Sequence, residues 1–501
     1  MLKIFRREKV PNVSRFTYPV MKFLGIDAKS DQSSLPLGYA SYAYNVAFRD
    51  GKLTRGMGIS DAQYKDSDGQ VQTLPNTSVQ VQFINKMFFY RRYDYNLNKR
   101  DDRIIVQSIY NEYFVCDFKG GAFVDVSEAL TIPQDTLLSG TNYHLDGEDL
   151  FLLYLSSGGM YVYDGTSFTF YDTPKFNSAC IHYERAWATE YQGANNLYFS
   201  KALEPTNFSV DEIQGGYISF PDDGGAILKV VSFKDYLYVF REFAIHRLVA
   251  YTDPRDYKLS KVFSSNNKIY PFTIEVTGDK IIFFAQDGFY SFDGFSAQKV
   301  YERITPLIES IENASACFFN QKYYVALKLK NIDNASVGDE ALASCDNNCV
   351  IAFDQNTNDL DIMRGVDIRG FVPVNIENIC EVFTYFNNFR GCYIGKLSDD
   401  GKLFGSSLKK LWQSPLSNLN SIDRYKILRW LFVSCYYNAT VCIEHNDGDS
   451  VFYLETSFKP QRLSINKKAD SLAISIVSTD EDFFVSGFQL HFDLVRRYYA
   501  N

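Results

Sequence analysis

The sequence predicts an all-β chain built from a repeated four-stranded unit, and three observations predict it. Of 501 residues, 42 are Phe and 36 are Tyr, an aromatic share of 16%. Flat aromatic side chains pack well on the pleated surface of a sheet. Long stretches with a 3.6-residue apolar period are hard to find, whereas short apolar runs bounded by turn residues recur throughout. Finally, one phrase, a polar turn followed by an aromatic strand, is written seven times. It reads "INKMFFYRR" at 84–92, "GEDLFLLYL" at 147–155, "YERAWATE" at 183–190, "KDYLYVFRE" at 234–242, "GDKIIFFAQ" at 278–286, "NQKYYVALK" at 320–328 and "NNFRGCYIG" at 387–395. The starts lie about 50 residues apart on average, a spacing that marks a repeat architecture.

A second phrase follows most copies, a strand ending in Asp and a turn. It reads "YFVCDFKGG" at 113–121, "YVYDGTSF" at 161–168, "FYSFDGFS" at 289–296 and "IAFDQNTN" at 351–358. Asp and Gly at such corners tolerate the backbone angles of tight turns. This singles out Asp164, Gly165, Asp293, Gly294 and Asp354 as turn-forming residues. Each repeat thus holds at least two hairpin-linked strands, and its length leaves room for four. Short antiparallel strands in sets of four, at this spacing, describe a β-propeller of about six or seven blades. Closing the ring removes the exposed sheet edges that an open sheet would present. An irregular β-sandwich with many hairpins is the competing reading.

Three regions are expected. Residues 1–75 are polar, carry Pro11, Pro19 and Pro36, and read as an extended arm with the first or closing strands. Residues 76–408 hold the repeats and read as the propeller. From 409 the phrase changes, and the alternation of Phe483, Val485, Phe488 and Leu490 predicts a small C-terminal β-domain through 501.

Composition narrows the function. The formal charge is −9, against the basic surplus of a general nucleic-acid binder. An acidic wall can nevertheless stand beside DNA, because it repels phosphate and keeps DNA from adhering. Nine cysteines, an odd number, do not form a complete disulfide framework and suit a reducing compartment. Within "CDNNC", Cys345 and Cys349 read as a loop disulfide or as chance neighbours rather than a zinc site, since no second pair joins them. The start is basic but lacks the apolar core of a signal peptide, and no run is long enough for a membrane helix. The sequon Asn76-Thr77-Ser78 is then a chance match.

No catalytic constellation is visible. The sequence lacks a G-x-S-x-G elbow, an H-E-x-x-H pair and a Walker loop. His144, His182, His246, His445 and His491 stand apart and read as half-buried strand residues. "EHNDGDSVF" at 444–452 does not match a calcium loop and reads as a hairpin. The Asp box of sialidase propellers is missing. No catalytic residue, metal ligand or cofactor is therefore expected, although paired carboxylates across a propeller mouth would make a glycosidase.

One long segment is more specific. "NNLYFSKALEPTNFSV" at 195–210 leads into "GGYISFPDDGGAILKVVSFKDYLYVFREFAIHRLVAYTDP" at 215–254. Leu197 to Ser200, Pro205 to Phe208, Ile227 to Val230, Val239 to Arg241 and Ile245 to Leu248 follow one another in the order found in bacteriophage tail and head-completion proteins of the propeller type, which they resemble. The opening is similar as well, through Gly25-Ile26-Asp27, Ala43 to Val46, and Gly51 to Gly56 with Gly58. "FFAQDGFYSFDG" at 283–294, "LDIMRGVDIRGF" and "KILRWLFV" resemble later parts of such proteins. The resemblance implies a virion structural protein without enzymatic activity, a nozzle or stabilisation component that prolongs the DNA channel below the portal and adaptor. It implies rings, often of six copies, contacts with the portal side and the tail-tip side, and passage of DNA without sequence-specific binding. It implies no membrane partner and assembly in the bacterial host cytoplasm. Asp222, Asp223, Asp399 and Asp400, on acidic turns, are the candidate channel-facing carboxylates. The alternative is a carbohydrate-binding or glycan-cleaving propeller, an adhesin or a glycosidase. A host scaffold propeller would be expected to carry WD or kelch signatures, which this chain lacks.

Overall fold

The computed structural model describes residues 14–65, 71–73, 83–95, 97–116, 123–145, 147–210, 214–251, 253–330, 345–376, 379–388 and 391–496. The sequon at Asn76 and part of the turn at 113–121 lie outside them. Two compact units result. One comprises residues 60–356 and 365–397, the other residues 1–59, 357–364 and 398–501.

The larger unit is a β-propeller of seven blades among the described residues. Blade 1 holds Ile84–Tyr90, Arg103–Ser108, Tyr113–Cys116 and Phe123–Asp125. Blade 2 holds Leu138–Leu145, Glu148–Leu155, Met160–Tyr163 and Phe168–Tyr171. Blade 3 holds Phe176–His182, Arg185–Glu190, Asn196–Phe199 and Gly216–Ser219. Blade 4 holds Ile227–Phe233, Tyr236–Arg241, Ala244–Val249 and Lys258–Ser264. Blade 5 holds Ile269–Val276, Ile281–Ala285, Gly288–Phe292 and Ala297–Val300. Blade 6 contributes Ile308–Phe319, Lys322–Leu329 and Cys349–Asp354, and blade 7 Ile368–Ile376, Ile379–Asn388 and Gly391–Ser398. In strand order Gly58–Asp61, at the start of the unit, follows Gly391–Ser398 in blade 7. Each blade is an antiparallel meander.

The first strand of every blade neighbours the first strand of the next, and that of blade 7 neighbours that of blade 1. These seven strands therefore surround the axis. Between blades, apolar side chains interlock. Tyr90, Ile105 and Tyr113 of blade 1 pack with Phe151, Leu153 and Tyr163 of blade 2. Phe233, Tyr238 and Phe240 of blade 4 pack with Phe283 and Phe292 of blade 5. The ring is sealed by Ile84, Ile104 and Val106 against Val372, Phe383 and Tyr385. Because both faces of a blade are covered, its strands read as continuous apolar runs rather than as alternation. That explains why one aromatic phrase recurs. Five of the seven sequence copies, in blades 2 to 6, are second strands. The copy at 84–92 is the first strand of blade 1, and the one at 387–395 falls on the third strand of blade 7.

The turns follow local chemistry. Gly165 and Gly294 stand at φ +92° and +105°, in the region open to glycine and strained for other residues. The Asp164 carboxylate accepts from the amides of Thr166 and Ser167, and Asp293 does the same for Phe295 and Ser296. Asp354 accepts from the amide of Asn356. Gly165→Val and Gly294→Val are each expected to cost at least about 1 kcal/mol. Gly294→Val should cost more, because its Cβ would stand 2.7 Å from the hydroxyl of buried Tyr238. At Gly165 the obstacle is the movable Arg92 side chain. Unchanged melting temperatures in both variants would contradict the turn assignment.

The smaller unit is a two-sheet sandwich. One sheet runs in the order Val46–Arg49, Lys52–Arg55, Phe484–Arg496, Arg424–Cys435, Gln461–Ala469, with Ser14–Val20 also pairing along Phe484–Arg496. The other runs Tyr42–Tyr44, Lys410–Gln413, Ala473–Ser478, Ala439–His445, Gly448–Leu454. The N-terminal region, expected as an extended arm with the first or closing strands, supplies strands of this sandwich, and Val20 pairs with Phe488. Asp50 and Gly51, both at positive φ, make the two-residue turn of a tight hairpin in which Arg49 faces Lys52, the geometry such turns favour. Asn45 sits at φ +57°. Its amide donates to the carbonyls of Arg364 and Lys409, and its side-chain oxygen accepts from the Arg364 amide. Asn tolerates that backbone angle and fills it with hydrogen bonds. The Ala43-to-Val46 motif therefore has a structural cause. No helix among the described residues is long and apolar enough to cross a membrane.

Candidate functional site in the propeller axis

The carboxylates expected to face a channel are placed in different settings. Asp222 is neutralised within its own blade. Its side chain pairs with the Arg241 guanidinium, lies 2.7 Å from Lys261 Nζ, and lies 3.5 Å from His246 Nε2. Arg241 is fully buried. It donates from Nε and Nη2 to the Gly225 carbonyl at 3.0 and 2.7 Å and from Nη2 to the Asp222 carbonyl at 3.1 Å. Burial, with Arg241 and Lys261 beside it, lowers the His246 pKa to about 4, so the ring is uncharged at neutral pH. This group latches the loop at 220–225 and offers no free negative charge. Asp223 is fully exposed, 3.9 Å from Lys261. In the sandwich unit, exposed Asp399 lies 3.7 Å from Arg49. Asp400 is half-buried and accepts from the Ser398 hydroxyl and the Lys402 amide.

The remaining motifs resolve simply. His445 faces Gly448 across a hairpin that spans the acidic run. Cys345 and Cys349 are not joined by a disulfide, and burial pushes the Cys345 thiol up to about 11. Among the described residues no group of His, Cys, Asp and Glu is arranged to hold a metal ion.

A different place gathers chemistry. The first strands of blades 1, 5, 6 and 7 line a half-open cavity of about 590 Å³ at the axis. Its walls include Asn85 and Lys86 from blade 1, Phe272 from blade 5, Asn313 and Ser315 from blade 6, and Arg369 from blade 7. Such a volume falls in the range of ligand pockets, about 300–1,000 Å³. The Lys86 ammonium stands 5.0 Å from the centre of the Phe272 ring. Burial and the nearby Lys229 ammonium hold its pKa below the usual lysine range. Lys229, from blade 4, is neutralised by Glu275 at 3.2 Å and donates to the Ile274 carbonyl at 2.6 Å. Arg369 is engaged by Asp346 and Asp367, while its Nε has no acceptor among the described residues. These residues were not singled out from sequence. The available signal was a lone lysine inside an apolar run, as in "INKMFFY" and "ILKVVSF". It gains meaning only once the run is known to face the axis.

The segment that carries the phage resemblance is blade packing. Leu197 to Phe199 form the third strand of blade 3, and Ile227 to Val230, Val239 to Arg241 and Ile245 to Leu248 belong to the first three strands of blade 4. In Pro205 to Phe208, Asn207 closes onto Glu204, and the Phe208 ring packs 4.9 Å from Phe176.

No protein-family model matches the chain, and no curated protein matches it by sequence. Among solved structures it is similar to Raptor from Chaetomium thermophilum, with 12% identity and a TM-score of 0.45 over 65% of this chain and 29% of that one. It is similar to BamB from Moraxella catarrhalis, with 11% identity and a TM-score of 0.35 over 71% of this chain and 94% of that one. It is similar also to YCF48 bound to D1 peptide, with 8% identity and a TM-score of 0.40 over 68% of this chain and all of that one. The chain thus spans under a third of the Raptor chain's length. These likenesses concern fold alone. The propeller rests on the seven sheets and their closure.

Proposed function

We propose that the chain is a structural virion protein of a bacteriophage, a nozzle or stabilisation component that rings the DNA channel of the tail or neck below the portal and adaptor. It is not an enzyme and uses no cofactor in this reading. The observation that carries it is the open edge of the sandwich, taken with the order of the phage-like motifs. Gly448–Leu454 ends its sheet. It presents Val451 and Tyr453 to solvent, Tyr453 at 81% exposure, and Phe458 just beyond is 85% exposed. An uncovered edge strand with large apolar side chains is an association surface. A ring built from head-to-tail contacts requires one on every copy. Neighbours would be the portal-side and tail-tip-side proteins. The net charge of −9 suits a lumen that DNA slides past without being held. Asp223 and Asp399 remain the exposed carboxylates available for such a wall.

Native mass spectrometry and electron microscopy of concentrated protein and of assembled particles test this. A closed ring, six copies by the resemblance, is expected. The double variant Tyr453→Lys and Phe458→Ser should shift assembly to at least tenfold higher concentration. A chain that stays monomeric at every concentration and sits singly on the particle surface would overturn the reading and favour the carbohydrate-handling alternative. A continuous Lys/Arg lining of the lumen would defeat the channel role as well.

A further inference from the structure

The axial cavity holds one ammonium without a carboxylate partner, a feature that the assembly role does not use. Among the described residues, the Lys86 ammonium has no carboxylate within ion-pair distance and no hydrogen-bond acceptor, although it lies inside the propeller. The side chain is half-buried and lines the half-open cavity, so the ammonium is open to an entering anion. Lys229 does not share that condition, because Glu275 neutralises it. Around Lys86 the wall supplies three further kinds of contact. Phe272 is half-exposed and lines the cavity, and the Lys86 ammonium lies over its ring. Asn85 donates from its amide to Gln107, which leaves its side-chain oxygen as an acceptor. The Asn313 amide and the Ser315 hydroxyl form no hydrogen bond with other described residues. Ile109 and Leu137 complete the wall with apolar surface.

We infer that this cavity is a binding site for an acidic saccharide, with the sugar carboxylate paired to Lys86 and the ring laid on Phe272. The components argue for each part of that ligand. One unpaired ammonium calls for one negative charge. A phosphate dianion would be better met by a guanidinium fork, but the fork of Arg369 is occupied by Asp346 and Asp367. A flat aromatic face beside amides and a hydroxyl suits a ring that has apolar C–H faces and hydroxyl edges. The volume of about 590 Å³ accommodates a small sugar with its bridging waters. Exposed Glu312 adjoins the lining in sequence, on the same strand as Asn313. Its charge would disfavour polyanions and so reinforces the preference for a single carboxylate. The site lies within one propeller, so it is independent of whether the chain forms a ring.

Calorimetric titration of the whole chain with glucuronate and galacturonate, against glucose, acetate and an N-acetylated glutamate amide, tests the assignment. At least one uronate should bind saturably, at least tenfold more tightly than glucose and than acetate. Lys86→Met should lower uronate affinity at least tenfold and glucose affinity by much less. It should not lower the melting temperature, since it removes an unpaired cation. Phe272→Ala should weaken uronate and glucose alike. Should Lys86→Met fail to fold, Lys86→Gln provides the same comparison. Absence of saturable uronate binding would overturn the inference, as would wild-type affinity in a folded Lys86 variant. Acetate binding as tightly as the uronate would reduce the site to a bare anion hole. Tighter binding of the glutamate amide would make it a peptide site. Either result also overturns the saccharide assignment.

Discussion

Trp412→Ala is expected to destabilise the sandwich unit by about 4 kcal/mol, within the range of about 3–5 kcal/mol seen for emptied large aromatic sites. Trp412 is fully buried. Its ring meets Phe23 edge-on at 5.1 Å and Phe488 at 5.9 Å. It therefore joins three parts of the chain remote in sequence: the N-terminal segment, the strand Lys410–Gln413 and the strand Phe484–Arg496. Alanine would leave a cavity walled by two other large rings, which cannot both move inward. Trp412→Phe should cost less than Trp412→Ala, because it leaves a smaller cavity between the same rings. It also removes an indole N–H that is buried without an acceptor. Urea unfolding followed by aromatic fluorescence and calorimetry reads both values. A loss under about 1 kcal/mol for the alanine variant would mean that Trp412 does not join these segments.

Arg241→Met should destabilise the propeller by about 3 kcal/mol, the loss associated with breaking a buried charged network. The methionine keeps an aliphatic stem but gives up every donor that clamps the carbonyls of Asp222 and Gly225. Asp222→Asn should cost less than Arg241→Met, since the carbonyl acceptors of Arg241 remain in place and the Asp222 side chain is itself a third exposed. The asymmetry is the test. Equal losses would mean that the ion pair itself, rather than the guanidinium's grip on the backbone, stabilises the loop. Proteolysis at 220–225 should accelerate in Arg241→Met before global unfolding does, because a released loop is the first segment to open.

The sequence was most informative where the determining physics is local. Turn geometry depends on two or three adjacent residues, which is why Asp164-Gly165 and Asp293-Gly294 could be located from composition alone. Blade strands are covered on both faces, so their aromatic runs announced themselves without alternation. Position within the blade was less legible. Second strands in blades 2 to 6 are almost continuously buried, whereas the first strand of blade 1 is buried only at intervals, yet both carry the same aromatic phrase, so the phrase does not tell them apart.

What the sequence by itself determined is the all-β class, the repeated unit and the corners that divide it. Tertiary structure decided the rest, because the deciding partners are far apart along the chain. Residues 1–75 read as a polar arm with the first or closing strands, and only the structure shows that Val20 pairs with Phe488 and that Asn45 hydrogen-bonds to Arg364 and Lys409. No pattern within those residues reveals partners that distant. Asp222 and Asp223 are identical neighbours in a turn. The fold gives Asp222 the buried Arg241 and Lys261, while Asp223 stays in solvent. Lys86 and Lys229 are both single lysines in apolar strands, and only the closing of seven sheets around an axis turns both toward a shared interior. There Glu275 neutralises one and leaves the other without a counter-charge. Charge acquires its meaning from the groups within a few ångströms: blade 4 itself supplies those of Asp222, while Lys229 finds Glu275 on the next blade.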